Sequence, residues 1–249
     1  MRGLTNLMWV QFKLYLREPA AFFFTLAFPA LCLLLFGAIY GNEPMSAFWG
    51  RPVGTVDASV PAYIGLIIGT IALMNIPIET AANRDSGALR RFRATPLRPV
   101  TYLAASIAVY FLVAVLGIAI LVVIGKLVFD LKLAGSWSAV LAGFTLSALA
   151  FFAAGYVLAS VARSARMAQA LGMAIFFPMI FLSGAGMPVQ MLPPGLQEFS
   201  KLLPLSYVVK LMQGLWFGDG LAALALPAAV LCGLLILGIG LSAALFRWE

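Results

Sequence analysis

The sequence predicts an all-α integral membrane protein with six transmembrane helices. Of its 249 residues, 63% are hydrophobic and only 10% are charged, and the mean hydropathy is +1.03. A soluble chain is typically about 25% charged, so this chain has too little polar material to cover a globule in water. Helices are expected because backbone groups in lipid must pair within a segment, and the alternating pattern of a β-barrel strand is absent.

The first element, residues 1–19, is predicted to be an amphipathic helix that lies in the inner membrane interface. Met8 and Phe12 fall on its apolar face, whereas Lys13 and Arg17 fall on its polar side. This arrangement suits a helix that rests on a membrane rather than crossing it. The apolar run that follows is too long for the core of a cleaved signal peptide.

Six apolar segments approach the roughly 20 residues that a spanning helix needs. The fifth is taken as continuing toward Met187, since it is otherwise short. We treat the whole chain, 1–249, as one transmembrane domain. The predicted spans are 20–40, 61–78, 101–123, 137–161, 168–187 and 221–246.

The charges of the loops predict which side of the membrane faces the cytoplasm. Eleven of the 16 Lys and Arg residues flank the spans on one side, against five on the other. Basic residues collect in short cytoplasmic loops, so both termini are expected in the cytoplasm of a multi-pass protein of the cell inner (plasma) membrane. The net charge of +7 therefore requires no nucleic acid partner. The eleven residues are Arg2, Lys13, Arg17, Arg84, Arg90, Arg91, Arg93, Arg98, Arg163, Arg166 and Arg247.

The cytoplasmic loop 83–99, NRDSGALRRFRATPLRP, is predicted to hold a short helix. Asp85 or Ser86 can cap a helix that begins at Gly87, and Leu89 and Phe92 fall on one apolar stripe of it. Such a helix suits either the groove of a partner protein, whose motion it would pass to the second and third spans, or a surface of anionic lipid. The residues assigned to this contact are Asp85, Gly87, Leu89, Arg90, Arg91, Phe92 and Pro96.

The outer segment 188–220 is too apolar for an ordinary loop, and prolines at 188, 193, 194 and 204 divide it into short helices. Irregular backbone at membrane depth is tolerated where protein covers it. We therefore expect a segment that is partly re-entrant or lies on the outer leaflet against the spans. The alternative is a plain surface loop.

The chain has no pattern typical of an enzyme. It contains no histidine, the commonest general base and metal ligand. Gly125-Lys126 is followed by Leu127 instead of the Ser or Thr of a nucleotide-binding loop, and no HExxH, CxxC or GxSxG occurs. Cys32 and Cys232 lie in apolar runs, where cysteine behaves as a small hydrophobe. We expect no catalytic residue, metal or cofactor on this chain.

The span interiors are expected to hold no ionisable group, with Glu79 at the end of the second span, where it can reach the interface. This disfavours a carrier driven by protons or sodium ions. Asn75 suits either an interhelical hydrogen bond or contact with a substrate. Two interpretations also stay open for the fifth span: its side chains line a path for a bulky apolar substrate, or they pack against lipid and other helices. The residues of this possible path are Asn75, Phe176, Phe177, Met179 and Ser183.

Two motifs resemble the membrane subunit of ATP-binding cassette exporters, in the branch that carries drugs, lipids and polysaccharides. RDSGALRRFRATPL at 84–97 is similar to the family's acidic-x-Gly-x-Leu-x-x-Leu-x-x-x-Pro pattern. FLSGAGMPVQMLPPGLQEFSKLLPLSY at 181–207 is similar to its F-L-S-G, proline, L-P…L-Q and P-L-x-Y pattern. Gly186-Met187 replaces the usual aromatic pair, and Lys210 stands near a usual Asp. The matching outer residues are Ser183, Gly184, Pro188, Pro193, Pro204 and Tyr207.

The resemblance implies a type-2 permease with an interfacial N-terminal helix, a coupling helix after the second span and short outer helices between spans five and six. It implies two copies of a separate ATPase that carry the ATP and Mg, and a dimer of this chain or a pair with a similar permease. Membrane lipid is a further expected partner. The expected function is export of a bulky amphipathic or apolar substrate, such as a drug, a lipid or a lipid-linked glycan.

Two other functions stay open at this point. ETAANRDSG at 79–87 resembles the E-A-A…G loop of import permeases of the same superfamily. The chain also suits a membrane assembly factor or lipid-modifying enzyme without transport activity, although the lack of histidine and of clustered carboxylates disfavours an enzyme.

Overall fold

The computed structural model describes residues 2–44, 52–87 and 99–245, and in these ranges the chain is almost wholly helical. Six helices are long and apolar enough to cross a membrane, which confirms the predicted fold class. They are α2–α6 and α9, and three shorter helices accompany them. The helices are α1 Arg2–Leu16, α2 Pro19–Tyr40, α3 Thr55–Asp85, α4 Pro99–Phe129, α5 Trp137–Val161, α6 Ala165–Leu182, α7 Pro194–Ser200, α8 Pro204–Phe217 and α9 Leu221–Leu245.

The second membrane helix is longer than the expected span 61–78. α3 has 31 residues and includes Asp57 near its start and Glu79 near its end. The sequence-based bounds stopped short of these polar residues, whereas the fold pairs both carboxylates with neighbouring groups. α4 similarly continues past residue 123 to Phe129, and α6 ends at Leu182 instead of reaching residue 187.

α3 is the central helix of the fold. In its most apolar stretch 89% of the residues are buried, compared with 33% in α2 and α4 and 22% in α6 and α9. α2, α4, α5, α6 and α8 all pack around it. Its isoleucines at 64, 67, 68, 71 and 76 are fully buried. The apolar faces that remain exposed therefore lie on the outer helices, where lipid would cover them.

Both α2 and α3 contain a single π-helical turn just before a proline. Phe28 donates its backbone N–H to Phe23 O, and Ile76 donates to Ile71 O, each five residues back. Pro29 and Pro77 follow directly. A proline has no N–H and its ring clashes with the carbonyl four residues earlier. A π turn is a common way to accommodate such an interruption inside an α-helix.

Asn42, which follows α2, joins the end of that helix to the start of α3 and the end of α4. Asn42 Oδ1 accepts hydrogen bonds from the first-turn N–H groups of Val56 and Asp57, both at 3.1 Å. Its Nδ2 donates to Asp57 Oδ1 and to Phe129 O at the end of α4, also at 3.1 Å. Asp57 Oδ1 in turn accepts the N–H of Lys132 at 2.8 Å. Asn42 thus caps α3 from outside it.

The outer segment forms short helices, as its prolines predicted. Gly184 adopts a φ of +91° just after α6, a conformation open to glycine. A short 3₁₀ turn, Val189–Met191, precedes α7 and α8. α8 packs between α3, α5 and α9, and its buried Trp216 donates from Nε1 to Lys132 O at 2.9 Å. Protein therefore covers α8 on several sides, whereas most residues of α7 are exposed.

Candidate functional site

The loop predicted to contact a partner lies partly outside the described residues. Those of its assigned residues that fall outside are Leu89, Arg90, Arg91, Phe92 and Pro96. The structure describes the approach to the loop, through Gly87, and its exit into α4. The contacts of Asp85 and the backbone conformation of Gly87 are therefore described.

The expected helix cap at Asp85 or Ser86 is wrong. Asp85 is the last residue of α3, Ser86 follows as its C-cap, and Gly87 has a φ of +70°. Ser86 Oγ donates back to Asn83 O at 3.3 Å. A glycine with positive φ just after the C-cap is a common way to end a helix. The motif therefore marks the end of α3.

Arg84 and Asp85 contact the turn that joins α5 to α6. The Arg84 guanidinium donates to Ala162 O, and to Ala159 O at 3.4 Å, both at the C-terminal end of α5. Asp85 Oδ2 accepts the backbone N–H of Ala165, the first residue of α6, at 2.9 Å. The sequence pattern predicted that Asp85 contacts a partner protein and indicated no contact for Arg84. The one available signal in the sequence was that a basic and an acidic residue stand next to each other at 84 and 85.

Glu79 lies within α3 and not at the end of the helix. α3 continues for six residues beyond it, to Asp85, and the Tyr110 hydroxyl of α4 donates to Glu79 Oε2. Nearby, Asn83 Nδ2 donates to the Tyr102 hydroxyl at 3.0 Å. α3 and α4, the two helices that flank the loop, are thus joined by polar contacts over their last and first turns.

The interfacial helix reaches the same cluster. Gln11 is only 8% exposed, and its Nε2 donates to Ser106 Oγ of α4 at 3.0 Å, while its Oε1 has no hydrogen-bond partner. A cavity of about 10 Å³ lies between Gln11, Tyr15, Glu79 and Tyr110, about the size that one water molecule needs. Burial raises the pKa of Tyr15 to about 12, so this hydroxyl stays a neutral donor, and it donates to Ala21 O at 3.2 Å.

Asn75 makes an interhelical hydrogen bond. Its Nδ2 donates to Thr25 Oγ1 of α2 at 3.0 Å. The two residues lie in the two π-helical turns, Phe23–Ala27 and Ile71–Asn75. This bond is one of the two roles that the sequence left open for Asn75, and it joins α2 to the central helix.

The aromatic residues of the fifth span do not share one face. Phe176 is 5% exposed and lies against Gly69 of α3, and Met179 is also buried. Phe177 is 48% exposed and points away from the core. Ser183 is buried, and its Oγ accepts the N–H of Ala185 at 3.3 Å. Within one subunit, therefore, Phe176 and Met179 pack inward while Phe177 faces the surface.

An apolar cavity of about 220 Å³ lies at the outer end of the helices. The ends of α2 and α3 and the segment after α6 form its walls, including Tyr40, Tyr63, Gly184 and Pro188. Pro193 directly precedes α7, and Pro204 is the first residue of α8. The Tyr207 hydroxyl of α8 donates to Lys201 O at 2.7 Å and holds the turn between α7 and α8. Gly184 and Pro188 thus line a cavity, whereas Pro193, Pro204 and Tyr207 shape the helices beside it.

The stretch that resembles an importer loop lies mostly inside a helix. Residues 79–85 of ETAANRDSG form the last part of α3 and pack against α4, α5 and α6. Most of this stretch is therefore helical.

Comparison with known proteins gives a family. The model of the family described as ABC-2 type transporter matches residues 2–217, from the interfacial helix α1 through α8. A putative transport permease, ycf38 of Porphyra purpurea, is 28% identical over 203 residues, which cover 78% of this chain and 67% of that protein. Nodulation protein J of Rhizobium leguminosarum bv. viciae is 32% identical over 102 residues, or 41% of this chain and 39% of that protein. This second match thus spans about two fifths of either protein. Since the family match covers most of the chain, this protein belongs to the ABC-2 type transporter family.

Proposed function

We propose that this chain is the permease subunit of an ATP-driven exporter that moves a bulky amphipathic or apolar molecule out of the cytoplasm or the inner leaflet. Family membership makes the chain a membrane transport component and implies a partner ATPase of the ATP-binding cassette class. The observation that carries the proposal is the match over residues 2–217, which includes the loop 83–99 and all but the last three residues of the outer segment 188–220. Export itself is supported by the motif at 181–207 that resembles exporters.

The proposed partners are two copies of the ATPase and a second permease, either a copy of this chain or a similar one. The ATPase would bind ATP and Mg, because this sequence has no nucleotide-binding loop. We assign Leu89 and Phe92 to the contact with the ATPase on the basis of the sequence pattern. Closure of the two ATPases on ATP would push the two loops together and move the attached spans.

Both termini are proposed to lie in the cytoplasm. The described structure supports this, because the hydrogen bonds of Arg84 bring the end of α3 next to the α5–α6 turn. Arg163 lies in that turn and Arg166 in the first turn of α6, so three basic residues cluster at one end of the bundle. Such clustering is typical of the cytoplasmic side of a membrane protein.

The substrate class is proposed from the surfaces available to a substrate. The outer cavity is lined mostly by apolar side chains, with hydroxyls at Thr55, Ser59 and Tyr63. Phe177 and Phe181 add exposed aromatic surface on α6. These groups suit a molecule with a large apolar part and a few polar groups, such as a drug, a lipid or a lipid-linked glycan.

The test is reconstitution with the partner ATPase in inside-out vesicles. ATP-dependent accumulation of a fluorescent lipid or drug inside these vesicles supports export, and ATP-dependent loss supports import. Leu89→Asp and Phe92→Asp are expected to uncouple ATP hydrolysis from accumulation. Leu202→Asp, the same change at an exposed leucine of the outer segment, serves as the control. Unchanged coupling and unchanged co-purification in both loop variants would show that the assigned contact is wrong.

A further inference from the structure

Two neighbouring residues at the end of α3 each bind a different end of the α5–α6 turn. Arg84 donates to the carbonyls of Ala159 and Ala162, and Asp85 accepts the N–H of Ala165. α5 ends at Val161 and α6 begins at Ala165. One basic and one acidic side chain thus satisfy backbone groups that helix ends leave unpaired.

The charges are placed in the favourable order. The last carbonyls of a helix carry partial negative charge, and its first N–H groups carry partial positive charge. Arg84 faces the end of α5, and Asp85 faces the start of α6. The opposite order would put like charges together at both contacts. Ser164 Oγ adds a second cap on α6 by accepting the N–H of Met167 at 3.2 Å.

Small residues bring the three helices together beneath these contacts. Ala81 of α3, Ala162 at the turn and Ala168 of α6 form a separate buried cluster. Farther into the bundle, a side chain at Gly155 of α5 would meet the carbonyl oxygen of Ala72. One at Gly172 of α6 would likewise meet Leu73 O. The backbones of α5 and α6 therefore approach α3 closely at Ala72 and Leu73.

We propose that Arg84 and Asp85 are positioning residues that make the α5–α6 turn move with α3. Resting on the proposed function, this means that a push on the loop reaches α5 and α6 through α3 as well as entering α4 through its N-terminus. α6 carries Phe177 and leads into the outer segment. A displacement at the cytoplasmic end would thereby be passed toward the outer cavity by a helix held at its first turn. The α5–α6 turn, which lies outside the loop 83–99, would thus take part directly in transmitting the movement.

The first measurement reads the turn itself. A nitroxide label at Arg163→Cys, an exposed position in the turn, reports local mobility in the full chain in nanodiscs. The background carries Cys32→Ala and Cys232→Ser, since both native cysteines are free thiols. We expect a restricted label in the parent protein and a mobile one in Arg84→Gln and Asp85→Ala. Equal mobility in all three overturns the proposal.

The second measurement reads coupling in the complex with the ATPase. Arg84→Gln and Asp85→Ala are expected to lower substrate transported per ATP hydrolysed about threefold to tenfold, within the range seen for residues that couple distant sites. Arg84→Lys keeps the charge and one donor and should restore part of this ratio. Asp85→Asn keeps an acceptor for Ala165 and should do the same. The double variant Arg84→Asp/Asp85→Arg should be worse than either single change.

Arg166→Gln is the matched control, an exposed arginine in the first turn of α6 whose loss should leave both readouts unchanged. A parental transport ratio in Arg84→Gln and Asp85→Ala, or an equal fall in the control, overturns the proposal. We call the contact of Arg84 and Asp85 with the α5–α6 turn the clamp. Co-purification of the ATPase at parental yield in both variants distinguishes loss of the clamp from loss of a direct contact between Asp85 and the ATPase. If the parent complex shows no ATP-dependent flux, the proposed function fails, and label mobility still decides whether the clamp exists.

Discussion

The Tyr110 hydroxyl of α4 donates a hydrogen bond to Glu79 of α3, which gives a carboxylate inside a membrane helix a partner on the neighbouring helix. The two helices flank the loop proposed to meet the ATPase. Ionisable residues within membrane segments are costly and usually paired. This pair therefore helps to hold the C-terminal part of α3 against the N-terminal part of α4.

Removing the tyrosine hydroxyl should destabilise the fold. In Tyr110→Phe the Glu79 side chain loses the hydrogen bond from Tyr110 in a largely buried site, at a cost of about 1–3 kcal/mol. Glu79→Gln retains an acceptor for Tyr110 and should cost less. The measurement is the midpoint of thermal unfolding in nanodiscs, with Glu198→Gln, an exposed glutamate of α7, as the control. An unchanged midpoint in Tyr110→Phe would contradict the role of the bond.

Substitution of Asn42 should destabilise the fold, because this residue joins the ends of α2, α3 and α4. Asn42→Ala leaves the first N–H groups of α3 without their acceptor, and caps of this kind contribute about 0.5–2 kcal/mol. Asn42→Asp keeps the acceptor but places a second negative charge beside Asp57, so we expect a larger loss at neutral pH and a partial recovery at acid pH. Unfolding midpoints at both pH values check this. A smaller loss in the aspartate variant at neutral pH would contradict the assigned pairing.

A methyl group at Gly155 should push α5 away from α3. Its Cβ would meet the carbonyl oxygen of Ala72, and backbone cannot move aside as a flexible side chain can. Gly155→Ala is expected to cost about 1–3 kcal/mol by overpacking. Gly233→Ala in α9 is the control, because its Cβ would have open space and alanine favours helix. Equal unfolding midpoints for the two variants would exclude the close approach.

Two adjacent phenylalanines can separate packing from substrate contact. Phe176 is buried against α3, so Phe176→Ala should destabilise the protein by about 3–5 kcal/mol. Phe177 faces outward, and Phe177→Ala should leave the free energy of unfolding within about 0.5 kcal/mol. If Phe177 lies on the substrate path, its variant should instead change the transport rate and the apparent KM. Parental transport kinetics in Phe177→Ala would remove it from the path.

The sequence predicted the spans better than their ends. Long apolar runs predicted the six membrane helices, and 137–161 coincides with α5. The bounds of α3 were misjudged because Asp57 and Glu79 look like loop residues until their partners are known. Those partners, Asn42 and Lys132 for one and Tyr110 for the other, lie at least 15 residues away in the chain. Pairing over such separations leaves no local pattern in a single sequence.

The end of α3 was misjudged for a different reason. Asp85 and Ser86 before Gly87 fit a helix start by residue type, and the same residues fit a helix end followed by glycine. The choice depended on whether the preceding turn was helical, which the apolar pattern did not indicate. The clamp on the α5–α6 turn was equally hidden, since it joins residues 80 positions apart.

The π turn in α3 also sets the direction in which the C-terminal half of this helix faces. Each residue added to a helix rotates everything after it by about 100°, and the π turn at Ile71–Asn75 holds one residue more than an α turn would. Without that residue, Glu79, Arg84 and Asp85 would be turned away from Tyr110 and from the α5–α6 turn. The π turn before Pro77 thus sets the direction in which the side chains of Glu79, Arg84 and Asp85 leave the helix. Deleting one residue of the π turn would rotate the C-terminal half of α3 by about 100°. The composition of that half would not change, so the deletion tests whether its orientation determines these contacts.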